Sequence, residues 1–301
     1  MIAAALLVVT SSCGPATPVT PPADPAPTLR TSTSPRHAGA TPSARVVGAS
    51  EASGGAERGT SSRWVSGSAE IQDFGDDAGK MVDLDVPGFG PAVVAVPVGG
   101  AAPAPVVVAA HANWDRPGWS CAWWRASFPR ALILCPRGVL RPEAQSPEDP
   151  RFTYRDDEVL EREVDAGLAA LRARWGLRVA RGAMTWVSLS RGSYLGGFIA
   201  GRRPTDFPRL ILVEGGQDPW TLAHAKAFAV GGGQNVLFVC GQAACRTESR
   251  LAASRLRHVG ADARVVFVPG MGHGLNADAR PIVAQQLAWL RHGSEVPEPH
   301  E

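Results

Sequence analysis

A serine hydroxyl becomes a nucleophile at neutral pH only when a base takes its proton, an acid holds that base, and amide donors meet the developing oxyanion. The 301-residue chain carries groups of these kinds. In the run Trp186-Val187-Ser188-Leu189-Ser190-Arg191-Gly192 an apolar stretch leads into a serine, and a segment with Gly196, Gly197 and Gly201 follows. This is the strand-turn-helix setting of a nucleophile elbow, with Ser190 at its tip. The sharp turn presses the positions two before and two after the serine against their neighbours, so both must be small. Gly192 meets that demand, and Ser188 stands where a glycine is usual. The backbone N–H of Arg191 then becomes one oxyanion donor. The matching base is His273, in the glycine-rich stretch Val268-Pro269-Gly270-Met271-Gly272-His273-Gly274 directly after the last apolar run. Of the other histidines, His37 and His300 fall in flexible ends, His292 is near the C-terminus, and His224 and His258 fall on helices.

Nucleophile and base so far apart in sequence need a scaffold that brings strand ends together. Apolar runs of strand length occupy Ala92 to Val96, Pro105 to Ala110, Ala131 to Cys135, Met184 to Ser188, Leu210 to Glu214, Val236 to Cys240 and Arg264 to Val268. Most are too uniformly apolar to have one wet face, as expected of a parallel sheet covered on both sides. Amphipathic stretches alternate with them. Val159 to Trp175 repeats Leu160, Val164, Leu168 and Leu171 at helical spacing, with acids early and arginines late. Residues 190–203, 247–259 and 279–292 also read as helices, and Trp64 to Leu84 as antiparallel lead-in strands. The expectation is an α/β fold, a mostly parallel sheet flanked by helices, in a single domain over 64–295 with a flexible tail at 296–301.

The segment His111-Ala112-Asn113-Trp114-Asp115, after the second of these runs, resembles the oxyanion loop of esterases, with alanine in place of a glycine. With the elbow and the histidine loop, it makes residues from roughly 90 to 292 similar to the α/β-hydrolase superfamily, near its dienelactone-hydrolase and prolyl-oligopeptidase-like esterase branches. The resemblance implies a serine hydrolase, with a carboxylic ester as the first choice of substrate and a small acyl or ester molecule as the binding partner. A serine peptidase of the same fold and a catalytically silent envelope-binding protein are the alternatives. It also implies a second oxyanion amide from Ala112 or Asn113, with His111 shaping the loop. The superfamily's acid usually lies in a turn that here reads Gly241-Gln242-Ala243-Ala244-Cys245, which has no carboxylate. Some members carry it one strand earlier, where Glu214 and Asp218 are the two candidates. Glu214 could instead be a structural carboxylate, and Asp218 a helix cap. Trp114, Trp119, Trp123, Trp124 and Trp220 crowd the segments around these groups and could wall a pocket for acyl or aromatic groups.

Composition narrows the classes. The net charge of +2 comes from 30 basic and 28 acidic residues with no block of like charge, so nucleic acid is not an expected partner. No zinc-type Cys/His spacing, phosphate loop or dinucleotide fingerprint occurs, and no metal or cofactor is expected. Residues 1–12 hold the short apolar run Ile2 to Val9, which suits a signal peptide, and Cys13 after two serines resembles the lipidated cysteine of bacterial lipoproteins. Residues 13–63, rich in Pro, Ala, Ser and Thr, cannot bury a core and read as a disordered tether. The expected location is the cell envelope, lipid-anchored at the periplasmic or outer-membrane face, or else secreted, with membrane contact only through the anchor. If Cys13 carries lipid, four cysteines remain, and of their three pairings the local one, Cys121–Cys135 and Cys240–Cys245, is preferred.

Overall fold

The computed structural model describes residues 74–100, 103–144 and 146–292. The signal peptide, Cys13, the tether and the tail lie outside the described residues. Eight strands form one sheet in the order β1-β2-β4-β3-β7-β8-β9-β10. They are β1 (Met81–Leu84), β2 (Ala92–Ala95), β3 (Val106–Ala110), β4 (Leu132–Cys135), β7 (Thr185–Leu189), β8 (Arg209–Val213), β9 (Asn235–Cys240) and β10 (Asp262–Phe267). A separate two-residue pair joins β5 (Val139–Leu140) to β6 (Phe152–Thr153). Strands β1 and β2 run antiparallel, β2 meets β4 antiparallel, and every pairing from β4 to β10 is parallel.

All seven apolar runs form strands, each within two residues of the expected bounds at either end. Among the described residues, the lead-in segment is strand only at Met81–Leu84. Gly75–Asp77 is a 3-10 turn, and the part before residue 74 is not described.

Alternation along the strands divides the core in two. Val106, Val108, Ala110 and Trp186 face one layer, where α2 (Asp157–Trp175), α3 (Arg191–Arg202), α4 (Leu222–Val230) and α5 (Ala243–His258) contribute Leu160, Ile199, Phe228 and Leu256. Val107, Ala109, Val187 and Leu189 face the other, covered by α1 (Pro117–Arg125) and α6 (Ala279–His292) through Trp124, Val283 and Leu290. A parallel strand buried on both faces needs apolar side chains on both, which is why these runs lack a polar period. The longest helix, α2, starts where the Asp156 side chain accepts from Val159 N at 2.7 Å. Asp157 and Glu158 follow at the positive end of its dipole, and Arg172 and Arg174 lie in its last turn.

Two disulfides tie the loops, Cys121–Cys135 between α1 and β4 and Cys240–Cys245 between β9 and α5. Helix α3 packs so closely on the sheet that a Cβ at Gly196 would sit 2.1 Å from Trp186 Nε1. Alanine there gains about 1 kcal/mol of helix propensity, but no real contact is that short, so overpacking wins. Gly196→Ala is expected to destabilise the domain by about 1–3 kcal/mol, read as a lowered urea midpoint. An unchanged midpoint would contradict this packing.

Candidate active site

Strand β7 ends at Leu189 and α3 begins at Arg191, leaving Ser190 alone in the turn at φ 52, ψ −112. A non-glycine residue there is strained by roughly 1–3 kcal/mol and persists only where neighbours fix it. Here Ser190 N donates to Val213 O at 2.8 Å, and Ser190 O accepts from Tyr194 N at 2.9 Å. Among the described residues only three others than glycine have positive φ: Trp114, Ser190 and Glu214. All three lie in loops after β3, β7 and β8, at the C-terminal edge of the sheet. Gly192 is obligatory, because a Cβ would lie 2.6 Å from Ala110 O and 2.7 Å from His111 O.

Ser188 has its own explanation. It is fully buried and its Oγ donates to Ser193 Oγ at 3.1 Å. Ser193 Oγ in turn donates to Val213 O and accepts from Val213 N, at 3.0 and 3.1 Å. The two serines pin the elbow to the end of β8. Sequence reasoning missed Ser193, whose only signal was a third hydroxyl beside the turn.

His273 brings Nε2 to 2.8 Å from Ser190 Oγ. If the hydroxyl donates to Nε2, the ring proton resides on Nδ1. Facing Nδ1 at 3.3 Å is Glu214 Oε2. The approach has ion-pair length without the alignment of a hydrogen bond, and Oε2 has no hydrogen-bond partner. Glu214 follows β8 at φ 47, and its side chain is 1% exposed. Such a burial demands donors, and Oε1 accepts from Gly241 N and, at 3.0 Å, from Gln242 N. Those amides lie in the turn that the Cys240–Cys245 disulfide closes. The same turn packs against the histidine loop: a Cβ at Gly241 would be 2.5 Å from Gly272 O, next to His273. Asp218 is exposed and makes no bond to His273. Nor does it cap α4, whose N-cap is Thr221, accepting from His224 N. Glu214 lies near both cysteines of this bridge, but their sulfurs are bonded to each other and offer no thiolate to a metal.

The segment around Tyr154 holds both His111 and Arg191. His111 N donates to the Tyr154 hydroxyl at 3.1 Å, and that hydroxyl donates to Pro136 O at 3.0 Å. Arg191 turns its guanidinium away to the carbonyls of Tyr154, at 2.6 Å, and Arg155. Its backbone N–H remains at the start of α3, among the amides that a helix leaves unpaired. Ala112 is half-buried and Asn113 exposed, the latter accepting from Arg141 Nη1 at 3.2 Å. Tyr154 and the Arg191 side chain were not singled out from the sequence, which shows no sign that one loop holds both elbow and oxyanion segment.

Among the tryptophans, Trp124 is fully buried under α1, and Trp220 packs in the core against Phe228 and His224. Neither Trp124 nor Trp220 therefore walls an open pocket, contrary to expectation. Trp114 and Trp119 are exposed.

No protein-family model and no curated protein matches the chain. Among solved structures, esterase PE8 is similar at a TM-score of 0.50 with 22% identity, over 69% of this chain and 100% of that one. An uncharacterised protein from Bacillus cereus ATCC 10987 is similar at 0.50 with 12% identity, over 64% and 60%. The fold is the α/β-hydrolase fold.

His111 yields a pH test. Burial lowers its pKa from the ordinary 6.5, outweighing the opposite pull of the carbonyls of Arg137, 3.0 Å from Nε2, and Ala112, 2.7 Å from Nδ1. The folded state thus binds the proton less well than the unfolded chain, so stability is lost as pH falls through about 6.5 toward the folded value. His111→Gln is expected to flatten part of that fall, measured as urea midpoints between about pH 7.5 and 5.5. An equal or steeper fall in the variant would refute a neutral buried His111.

Proposed function

We propose that the protein is an exported serine hydrolase that cleaves carboxylic esters through an acyl-enzyme on Ser190. The observation that carries this reading is that His273 places Nε2 2.8 Å from Ser190 Oγ and Nδ1 3.3 Å from the buried Glu214 carboxylate. Ser190 Oγ attacks the ester carbonyl as His273 Nε2 takes its proton. The oxyanion that forms is met by the Arg191 N–H and by an amide of Ala112 or Asn113. His273 then returns the proton to the departing alcohol, and a water molecule, activated by the same imidazole, hydrolyses the acyl group. Glu214 keeps the ring oriented with its proton on Nδ1 and stabilises the imidazolium. It does so from the strand before the usual one, which compensates for Ala244.

The fold shared with esterase PE8 supports this chemistry by analogy. Export is supported by the leader and by the two disulfides, which persist in oxidising compartments. The lipid anchor at Cys13 and the tether belong to the same proposal and rest on the sequence.

The wild-type protein is expected to react with a fluorophosphonate probe and to hydrolyse short-chain nitrophenyl esters, and Ser190→Ala to do neither. A folded wild type inert in both assays refutes the reading. The acid is tested separately. Glu214→Gln keeps an acceptor for Gly241 and Gln242 but removes the charge, and kcat should fall roughly 10³- to 10⁴-fold with KM little changed. Asp218→Asn should stay within about twofold of wild type. The reverse ranking would transfer the role to Asp218.

A further inference from the structure

Residues 152–155, which run from β6 toward α2, bond to the loop 111–115 at both its ends and to the residue after Ser190. At one end, His111 N donates to the Tyr154 hydroxyl at 3.1 Å. At the other, Trp114 N donates to Phe152 O at 3.0 Å, and Phe152 N donates to Asp115 O at 2.9 Å. These bonds hold Trp114 at φ 64, a conformation that is costly for a bulky side chain. The third attachment is the Arg191 guanidinium, whose Nε donates to Tyr154 O at 2.6 Å and whose Nη2 donates to Arg155 O. Between the two ends of the loop, the N–H groups of Ala112 and Asn113 have no hydrogen-bond partner among the described residues.

The attachments are firm. Tyr154 is 2% exposed, and its hydroxyl is satisfied on both sides because it also donates to Pro136 O at 3.0 Å. Its ring lies against His111, with centroids 4.5 Å apart. The bonds from Arg191 are charge-assisted and so stronger than neutral ones. The loop and α3 also meet directly, since a Cβ at Gly192 would lie 2.6 Å from Ala110 O and 2.7 Å from His111 O. A steric contact of this kind sets a minimum distance between them and no maximum. Residues 152–155 supply the missing restraint, because they are bonded to both sides. The spacing matters for acyl transfer: donors must lie about 2.7–3.1 Å from the forming oxyanion, and a misplacement of about 1 Å can cost roughly 10²-fold in rate.

We propose that Tyr154, through its hydroxyl, and Arg191, through its guanidinium, are positioning residues that fix the distance between the two oxyanion donors, the Arg191 N–H on one side and an amide of Ala112 or Asn113 on the other. The assignment rests on the hydrolase reading above. Each group acts through the backbone it holds. Tyr154→Phe releases His111 N but leaves the carbonyl that Arg191 binds, whereas Arg191→Met releases that carbonyl but leaves the hydroxyl, so each variant cuts one end of the same tie.

Turnover of nitrophenyl acetate is expressed per site labelled at completion by a fluorophosphonate probe, which removes any loss of folded protein. Each variant should lower kcat by about tenfold or more with KM within about twofold of wild type. Trifluoroacetophenone provides the second readout: Ser190 Oγ adds to its carbonyl carbon, His273 takes the hydroxyl proton, and the carbonyl oxygen becomes an oxyanion between the same donors. Its inhibition constant, read as protection of Ser190 from the probe, should rise in proportion to the fall in kcat. The double variant should lose little more than the worse single one, because the tie is already cut. Arg191→Lys reaches at most one of the two carbonyls; it should show a smaller loss of the same kind, and it replaces Arg191→Met if that variant does not fold. A kcat per labelled site within about twofold of wild type in either single variant, a rise in KM in place of the fall in kcat, unchanged ketone inhibition, or single losses that multiply in the double variant would each overturn the positioning role and leave the hydrolase reading intact. Wild type that neither labels nor hydrolyses overturns the reading on which the assignment rests.

Discussion

A carboxylate that is 1% exposed sets the constraint around which the rest of the site is arranged. Removing Glu214 from water is unfavourable unless donors replace its hydration, and the fold meets that need at Oε1 with elements remote in sequence. Gly241 and Gln242, at the end of β9, give their amides to Oε1. The His273 ring, on the loop after β10, faces Oε2. The donors sit in a turn pinned by a disulfide, and Gly241 leaves that turn with no Cβ so that it can lie against the histidine loop. Glu214 and the histidine loop are therefore both packed against one short segment.

Ser190 depends on the same edge of the sheet. Val213, the residue before Glu214, accepts from Ser190 N and exchanges hydrogen bonds with the Ser193 hydroxyl, so the end of β8 fixes both the elbow and the start of the acid's turn. A Cβ at Gly215 would meet Ser190 O at 2.8 Å, which shows how closely the two turns pack. Strain at Ser190 and at Glu214 is held between these contacts rather than released. In the proposed reaction the backbone amides at the start of α3 would await an oxyanion instead of reorganising for it.

The framework was legible in the sequence because its signals are local. A parallel strand covered on both faces must be a short, nearly continuous apolar run, and the strands β2 to β4 and β7 to β10 announced themselves in this way. The elbow was legible because a tight turn restricts the size of its neighbours, as Gly192 shows. Which of Glu214 and Asp218 faces His273 was not, since it depends on which carboxylate meets the amides of Gly241 and Gln242, a contact that no spacing encodes. Ser188 looked like a departure from a glycine rule until Ser193 gave its hydroxyl a partner. The clamp from Tyr154 and Arg191 was invisible for the same reason, and Trp220, read as a pocket wall, lies instead in the core, where Phe228 and His224 cover it.

The central claim is that ester cleavage passes through a covalent bond to Ser190. Its most direct measurement is a rapid acid quench during turnover of nitrophenyl pivalate, whose crowded acyl group slows deacylation, followed by mass mapping of the peptides. A burst of nitrophenol matching the enzyme concentration is expected, with the acyl mass on the peptide that contains Ser190. Hydrolysis without a burst, together with acyl mass on a different residue, would contradict it.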